Sequence, residues 1–208
     1  MHFLVKEWSD IQPYGPIWDA MRSFSDQRDD VTQDELWLMQ HEPVFTQGLA
    51  GKEEHVLNPA TIPVVRTDRG GQVTYHGPGQ LMIYTLFDIH RLGLNTREYV
   101  CTLEQVIIDL LASYGIESEG RRDAPGVYTA DNKKICSVGL RVKKGRSYHG
   151  MALNVEGDLS PFSRINPCGL KAMQMAKIND YHAVSWSQVA RDVTTQIQTH
   201  FNMTPLAA

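Results

Sequence analysis

Residues 69–84 read RGGQVTYHGPGQLMIY, and this stretch contains the most informative pattern in the chain. A Gly-Gly pair at 70–71 and a Gly-Pro-Gly triplet at 77–79 precede an apolar run. Glycine permits a sharp turn of the backbone, or a close approach to a ligand, that a side chain would prevent. The pattern therefore predicts a shaped loop that leads into a strand. A glycine-rich hairpin without any chemical role is the alternative interpretation.

The spacing of apolar residues predicts three helices and a set of strands around this loop. Pro13–Asp26 has helical spacing, Asn95 can cap a helix with Glu98 at its third position, and Ser185 begins a last helix. We predict strands at Leu36–Gln40, Ile62–Thr67, Gln80–Phe87, Gly126–Ala130, Lys134–Val142 and Tyr148–Val155. The strand Gln80–Phe87 should be central in the sheet, and the last three strands should form an antiparallel meander. A turn-rich loop is predicted at His41–Gly48. This order indicates an α+β, or mixed α/β, fold.

Length and charge narrow the class of protein. A chain of 208 residues is expected to form one domain, residues 1–208, with a substantial core. Its net charge of −4 argues against nonspecific nucleic-acid binding. Two basic clusters, Arg121 with Arg122 and Lys143–Arg146, are either solvated surface or local patches that could face an acidic partner.

The sequence also indicates where the protein acts. No apolar run approaches the length that spans a membrane, and the first residues lack the pattern of a signal or transit peptide. The three cysteines are widely spaced, which suits neither a disulfide framework nor a zinc site. We therefore expect a cytoplasmic protein with free thiols and no metal.

Each of the three cysteines is a candidate nucleophile. Cys101 lies in the second predicted helix beside its buried face, where a cysteine is usually a small core residue. Strand alternation would place Cys136 on the same face as Lys134, although packing is again its simpler interpretation. Cys168 lies between Pro167 and Gly169, which could present its sulfur from a tight loop or a helix start. Backbone N–H groups at such a place can lower the pKa of a thiol.

Five separate motifs resemble those of the lipoyl(octanoyl) transferase family. Residues 69–81 match the family's RGGQ-T-YHGPGQL signature, and Pro167–Gly169 matches its PCG motif. Lys134–Gly139, His149–Val155 and His41–Gly48 resemble its K-I-x-x-x-G, HG-x-A-L-N-V and H-x-P-V-x-T-x-G segments. After PCG the sequence reads LKAMQMAKI, where many members have a Thr-Ser-Leu ending, so nearby pocket residues depart from the pattern.

The resemblance implies a fold and a set of site residues. The fold would be the mostly antiparallel sheet with flanking helices of the biotin and lipoate protein ligase catalytic domain. Cys168 would be the acyl-accepting nucleophile, Lys134 would pair with it, and His149 is an additional candidate. The substrate-binding set that the resemblance implies is Arg69, Gly70, Gly71, Gln72, Val73, Thr74, Tyr75, His76, Ser137, Val138, Gly139, Gly150, Met151 and Ala152.

The implied reaction moves an octanoyl or lipoyl group from acyl carrier protein to a lysine of a lipoyl domain through a cysteine thioester. The implied acceptors are the lipoyl domains of 2-oxoacid dehydrogenase acyltransferase subunits and the glycine cleavage H protein. This reaction needs no cofactor, nucleic acid or membrane, and we expect the enzyme to act as a monomer.

Three other functions remain open at this point. An ATP-dependent lipoate or biotin ligase would share the implied fold but would leave Cys168 without a catalytic role. A cysteine thioesterase would use the same nucleophile and deliver the acyl group to water. A noncatalytic protein that binds lipoyl domains or acyl carrier protein would never form an acyl-enzyme.

Overall fold

The computed structural model describes residues 1–122, 124–167 and 173–207. These residues form three α-helices and eleven strands. The helices are α1 Tyr14–Gln27, α2 Thr96–Ser113 and α3 Trp186–Phe201. The strands are β1 His2–Glu7, β2 Asp34–Met39, β3 Val44–Gln47, β4 Val64–Arg66, β5 Val73–His76, β6 Gln80–Leu86, β7 Ser118–Gly120, β8 Gly126–Thr129, β9 Lys134–Lys143, β10 Arg146–Asn154 and β11 Thr204–Ala207.

Eight strands form one large sheet in the order β11-β1-β2-β6-β10-β9-β8-β7. The pairs that β1 makes with β2 and β11 are parallel, and the others are antiparallel. Every residue of β6 is buried. Leu81 and Ile83 pack with α2 and α3, whereas Met82 and Tyr84 pack with α1. Both faces of β6 are thus covered, which explains its nearly continuous apolar sequence and confirms its predicted central place.

A second, smaller sheet has the order β4-β3-β5 and corrects one prediction. The prediction of a turn-rich loop at His41–Gly48 is wrong, because Val44–Gln47 is the central strand of this sheet and is buried throughout. Phe45 lies opposite Tyr75 of β5 and opposite Val64 of β4. Pairing on both sides and burial of Phe45 outweigh the turn-forming residues that flank the segment.

The three helices lie where the sequence predicts them. Asn95 accepts hydrogen bonds from the backbone of Arg97 and Glu98, and the Glu98 side chain accepts one from the Asn95 backbone, so the predicted cap is complete. The Ser185 side chain accepts one hydrogen bond, from the backbone of Gln188, and so caps α3. Cys101, however, is exposed rather than packed in the core, because the buried face of α2 follows Tyr99 and Leu103 and turns Cys101 to the opposite side.

The predicted fold class is confirmed: the described residues form a mixed α+β structure whose large sheet is mostly antiparallel and has helices on both faces. Among those residues, no helix combines the length and apolar character that crossing a membrane requires.

Candidate active site

A cavity lies between the glycine-rich loop and the α1-facing side of the large sheet. It brings together most of the predicted site residues. Its walls contain Arg69, Gly71, Gln72, Val73, Thr74, His76, Lys134, Ser137, Val138, Gly139, His149, Gly150, Met151 and Ala152, together with Tyr14, Met82 and Tyr84, which the sequence did not indicate. Gly70 and Tyr75 are predicted site residues that do not line it.

The Arg69 side chain fixes the glycine-rich loop from inside. Its guanidinium donates to the backbone oxygens of Gly70 and Gln72, each at 2.8 Å, and to the Thr46 hydroxyl on β3. The Gly70 N–H donates to the Leu140 carbonyl of β9 at 2.8 Å. The loop is therefore held between the two sheets, and Arg69 is buried while it holds it.

Tyr75 points to the other side of the small sheet. Its ring packs edge-on against Phe162, with centroids 5.5 Å apart, and at a tilt against Phe45, with centroids 5.6 Å apart. These three rings belong to one apolar cluster, and none of them lines the cavity. The structure thus gives Tyr75 a packing contact that supports β5.

A directed chain of buried hydrogen bonds runs beneath the cavity wall. The Ala176 carbonyl accepts from Asn154 Nδ2, so Asn154 Oδ1 accepts from Gln80 Nε2. Gln80 Oε1 must then accept from His76 Nδ1 at 2.8 Å, which leaves His76 Nε2 to accept from the Thr46 hydroxyl. This assignment makes His76 neutral, in agreement with burial that lowers its pKa well below the usual value.

His41 and Tyr84 form a second buried pair that the sequence did not indicate. His41 Nδ1 donates to the Gln12 carbonyl at 2.9 Å, so Nε2 accepts from the Tyr84 hydroxyl at 2.7 Å. Burial lowers the pKa of His41 to about 4 and raises that of Tyr84. Both groups are consequently neutral at neutral pH, and they support the cavity wall without adding charge.

Lys134 is completely buried and lines the cavity. Its ammonium donates to the Pro125 carbonyl at 2.9 Å and lies 5.2 Å from the centre of the Tyr128 ring. Gly126 leaves room for this side chain: a Cβ on Gly126 would lie 2.6 Å from Lys134 Cε. Pro125 and Gly126, where β8 begins, thus determine where the ammonium lies.

Cys136 and Lys134 do not share a face, so the simple alternation expected for Lys134–Val142 is wrong at its start. The pairing shifts between Val127 and Tyr128: Val127 lies opposite Cys136 but Tyr128 opposite Lys134. This bulge directs Lys134 into the cavity and Cys136 into the core. Burial raises the pKa of the Cys136 thiol to about 12, which disfavours the thiolate that a nucleophile needs.

Cys168 lies outside the described residues, but the chain on both sides of it is described. Upstream, the Asn166 N–H donates to the His55 carbonyl at 2.8 Å. Downstream, the Lys134 N–H donates to the Gln174 carbonyl and the Ala176 N–H donates to the Lys134 carbonyl, both at 2.9 Å. The chain that follows residues 168–172 is therefore paired with Lys134 itself.

Asp68 connects α1 and β10 at the cavity edge. Its carboxylate accepts from Trp18 Nε1 of α1 at 2.8 Å, and from the Tyr148 hydroxyl and His149 Nε2 of β10, the latter at 2.9 Å. Burial alone would raise the pKa of Asp68, but these hydrogen bonds outweigh it and lower that pKa well below its usual range. Asp68 is therefore a carboxylate at neutral pH. No group of three His, Cys, Asp or Glu side chains within the described ranges could hold a metal ion.

The chain is similar to known proteins over most of its length. Residues 13–201 match the model of the lipoyl protein ligase A/B catalytic domain. An octanoyltransferase of Coxiella burnetii is 58% identical over 178 residues, which cover 86% of this chain and 73% of the relative. An octanoyltransferase of Vibrio cholerae is 56% identical over 188 residues, or 90% of this chain and 87% of the relative.

Solved structures share the fold at much lower identity. The bi-partite lipoate protein ligase of Thermoplasma acidophilum superposes with a TM-score of 0.78 at 16% identity, covering 100% of this chain and 86% of that one. Similarity to a lipoate ligase fold confirms the architecture expected from the sequence motifs.

Proposed function

Because this chain belongs to the octanoyltransferase family, within the lipoyl protein ligase A/B catalytic-domain group, we propose that it is an acyltransferase that attaches octanoyl groups during protein lipoylation. The observation that carries this proposal is the cavity in which an apolar wall and a buried lysine ammonium meet. The reaction is proposed to take place in the cytoplasm, where free thiols stay reduced.

The cavity suits a medium-length acyl chain. On its floor, Met82 of β6 lies opposite Ala152 of β10, and Tyr84 lies opposite Gly150. Small residues opposite large ones leave a slot rather than a packed face. Sites for apolar ligands are mostly of this kind, with a few polar groups that fix orientation. The carboxyl end of the chain is proposed to lie toward Lys134.

In the first half-reaction, the Cys168 thiolate attacks the thioester carbonyl of octanoyl-acyl carrier protein. A new C–S bond forms, the donor C–S bond breaks, and the carrier leaves as a thiolate that takes up a proton. One thioester replaces another, so no ATP is required. A free thiol has a pKa of about 8.5, and a nearby cation can lower it by roughly one or two units. Lys134 is proposed as that cation, and as the group that returns the proton.

In the second half-reaction, a lysine amine of the acceptor attacks the acyl-Cys168 carbonyl. The product amide is far more stable than the thioester, which drives the transfer and predicts ping-pong kinetics. The proposed acceptors are the lipoyl domains of 2-oxoacid dehydrogenase acyltransferase subunits and the glycine cleavage H protein. The predicted contacts that line the cavity, Arg69, Gly71–Thr74, His76, Ser137–Gly139 and Gly150–Ala152, are proposed to bind the acyl group and its carbonyl.

Intact-protein mass spectrometry tests the proposal. The enzyme, Cys168→Ser and Cys136→Ser are each mixed with octanoyl-acyl carrier protein without ATP, and a lipoyl domain is then added. We expect one octanoyl adduct on the wild type and on Cys136→Ser, lost in Cys168→Ser and discharged onto the lipoyl domain.

Other outcomes identify the alternative functions. Transfer that occurs only with octanoate and ATP would indicate a ligase. An adduct that is lost to water at the same rate with and without the lipoyl domain would indicate a thioesterase. Binding of either protein without any adduct would indicate a noncatalytic binder.

A further inference from the structure

Glu104 is the one charged side chain on the buried face of α2. It is only 8% exposed, and the other buried residues of this helix are Tyr99, Leu103, Val106, Ile107, Leu110 and Leu111. A carboxylate in such surroundings is unfavourable unless hydrogen bonds or a cation compensate for the water that it loses. The acyl transfer proposed above gives Glu104 no role, so its contacts decide what it contributes.

A single peptide group joins Glu104 to Lys134. The Gly126 N–H donates to Glu104 Oε1 at 2.7 Å, and the Pro125 carbonyl accepts from Lys134 Nζ at 2.9 Å. This N–H and this carbonyl belong to the same peptide bond, and in a trans peptide they point in opposite directions. The carboxylate and the ammonium therefore lie at opposite ends of one planar group.

The carboxylate strengthens the bond that the peptide makes with Lys134. An anion that accepts from a peptide N–H polarises the peptide, and its carbonyl oxygen becomes a stronger acceptor. Each of the two bonds involves an ionisable side chain, and hydrogen bonds to charged groups are roughly twice as strong as those between neutral groups. Glu104 thus acts on the ammonium through the Pro125–Gly126 peptide.

Two glycines leave room for the two charged groups. A Cβ on Gly120 of β7 would lie 3.1 Å from Glu104 Oε2, and a Cβ on Gly126 would lie 3.0 Å from Lys134 Nζ. The Tyr128 hydroxyl donates to the Ala124 carbonyl at 2.8 Å, which holds the chain just before the peptide. The β7–β8 hairpin is therefore shaped around the contact between Glu104 and Lys134.

Glu104 supplies a negative charge to the surroundings of Lys134. In the part of the chain that the structure describes, Cys136 of β9 and Tyr128 of β8 also face the ammonium or act on it, and the Arg121 guanidinium lies 4.4 Å from the centre of the Tyr128 ring. Burial raises the pKa of Cys136 to about 12, so this thiol is neutral. Burial also raises the pKa of Glu104, but its backbone hydrogen bond and the charge of Lys134 oppose this rise and favour the carboxylate.

We propose that Glu104 is the positioning residue of Lys134, which fixes the ammonium through the Pro125–Gly126 peptide and helps it to keep its proton. This proposal rests on the proposed function, in which Lys134 is the cation beside Cys168 and the group that returns the proton. Glu104 is not among the residues that line the cavity, so it acts on the reaction through Lys134.

Two substitutions separate the position that Glu104 imposes from the charge that it supplies. Formation of the octanoyl-enzyme from octanoyl-acyl carrier protein is followed by rapid-mixing mass spectrometry at several pH values. Glu104→Ala removes the bond to the peptide, and we expect the rate to fall about 100-fold, as for a catalytic group displaced by about 1 Å. Glu104→Gln keeps an oxygen that can accept from the Gly126 N–H, so it should retain most of the wild-type rate at neutral pH.

The pH profile then reports the charge. At alkaline pH, adduct formation should slow as Lys134 loses the proton that it returns to the leaving thiolate. A nearby anion helps an ammonium to keep its proton, so Glu104→Gln should move this alkaline limb to lower pH by roughly half a unit to one unit. A role of Glu104 in packing alone would leave the limb unmoved.

Asp109→Asn is the matched control. It removes a carboxylate from the same helix, where Asp109 Oδ2 lies 2.9 Å from His200 Nε2 of α3. Both the rate of adduct formation and the alkaline limb should stay as in the wild type.

A wild-type rate in Glu104→Ala would overturn the positioning role. An unmoved alkaline limb in Glu104→Gln, or an equal shift in Asp109→Asn, would overturn the effect of the charge. Should Glu104→Ala not fold, the limb in Glu104→Gln decides the question. Absence of any adduct on the wild-type enzyme would instead refute the proposed function itself.

Discussion

Gly126 is the residue whose change should most selectively disturb Lys134. Its φ angle is +138°, and a Cβ added there would lie 2.6 Å from Lys134 Cε, 3.0 Å from Nζ and 2.5 Å from the Cys136 carbonyl oxygen. Normal contacts between carbon atoms are about 3.5–4.0 Å, so Gly126→Ala must displace the lysine side chain by about 1 Å. Because the other contact is to backbone, β8 and β9 must also separate slightly.

The expected cost has two parts. The strained backbone and the overlap together should lower the free energy of unfolding by about 2–4 kcal/mol. Misplacing a catalytic group by about 1 Å can reduce the rate about 100-fold. Since Lys134 is the cation proposed for Cys168, we expect the loss to fall mainly on acyl-enzyme formation and to be smaller at high pH, where the thiol ionises without assistance.

Rapid-mixing mass spectrometry of adduct formation measures the rate, and urea unfolding measures the stability. Gly115→Ala is the matched control, because Gly115 also has a positive φ of +73° but has no atom within 4 Å of its added Cβ. It should show the backbone cost without the kinetic loss. A Gly126→Ala enzyme that is destabilised but forms the adduct at the wild-type rate would refute the assignment of Lys134.

Three other changes test separate features. Ala152→Leu fills the slot opposite Met82, so we expect preference to shift from octanoyl toward shorter donors by about tenfold or more in kcat/KM, and an unchanged ratio would argue against this floor. Burial lowers the pKa of His41 from about 6.5 in an unfolded chain to about 4, so the unfolded state binds the proton more readily between these values. Stability should therefore rise with pH by about 3 kcal/mol through that window and then level off, and His41→Gln should flatten the rise in urea unfolding. Asn95→Ala removes the cap of α2 and should cost about 1 kcal/mol without changing the urea m-value, whereas an unaltered midpoint would contradict the capping box.

Much of the fold follows from local signals in the sequence. β6 is predicted because a central strand is apolar on both faces, and α2 because its cap and apolar spacing agree. The strands β1, β3, β5, β7 and β11 are not predicted. β1 and β11 pair in parallel with partners distant in sequence, and β5 depends on β3, so their stability comes from tertiary contacts that no local pattern reports.

The site, like the fold, is predictable from the sequence only in part. Most of the cavity wall is predictable from motifs, because glycine-rich turns and the β9–β10 hairpin keep their chemistry within short segments. Tyr14 and Met82 are not predictable as site residues, because each resembles an ordinary core residue. The placement of Lys134 and Cys136 on different faces is not predictable either, because a bulge depends on how two strands pair. The sequence of β9 alone predicts regular alternation.

The position of β6 between β2 and β10 also has a kinetic consequence. β6 ends at Leu86, but β10, which covers its second edge, begins only at Arg146. During synthesis or refolding, an uncharged strand with strong β-propensity therefore has an open edge until much of the chain is available. Sheets assembled from such distant strands fold slowly. We expect refolding yield to depend steeply on protein concentration, with β6 as the segment through which misfolded chains associate.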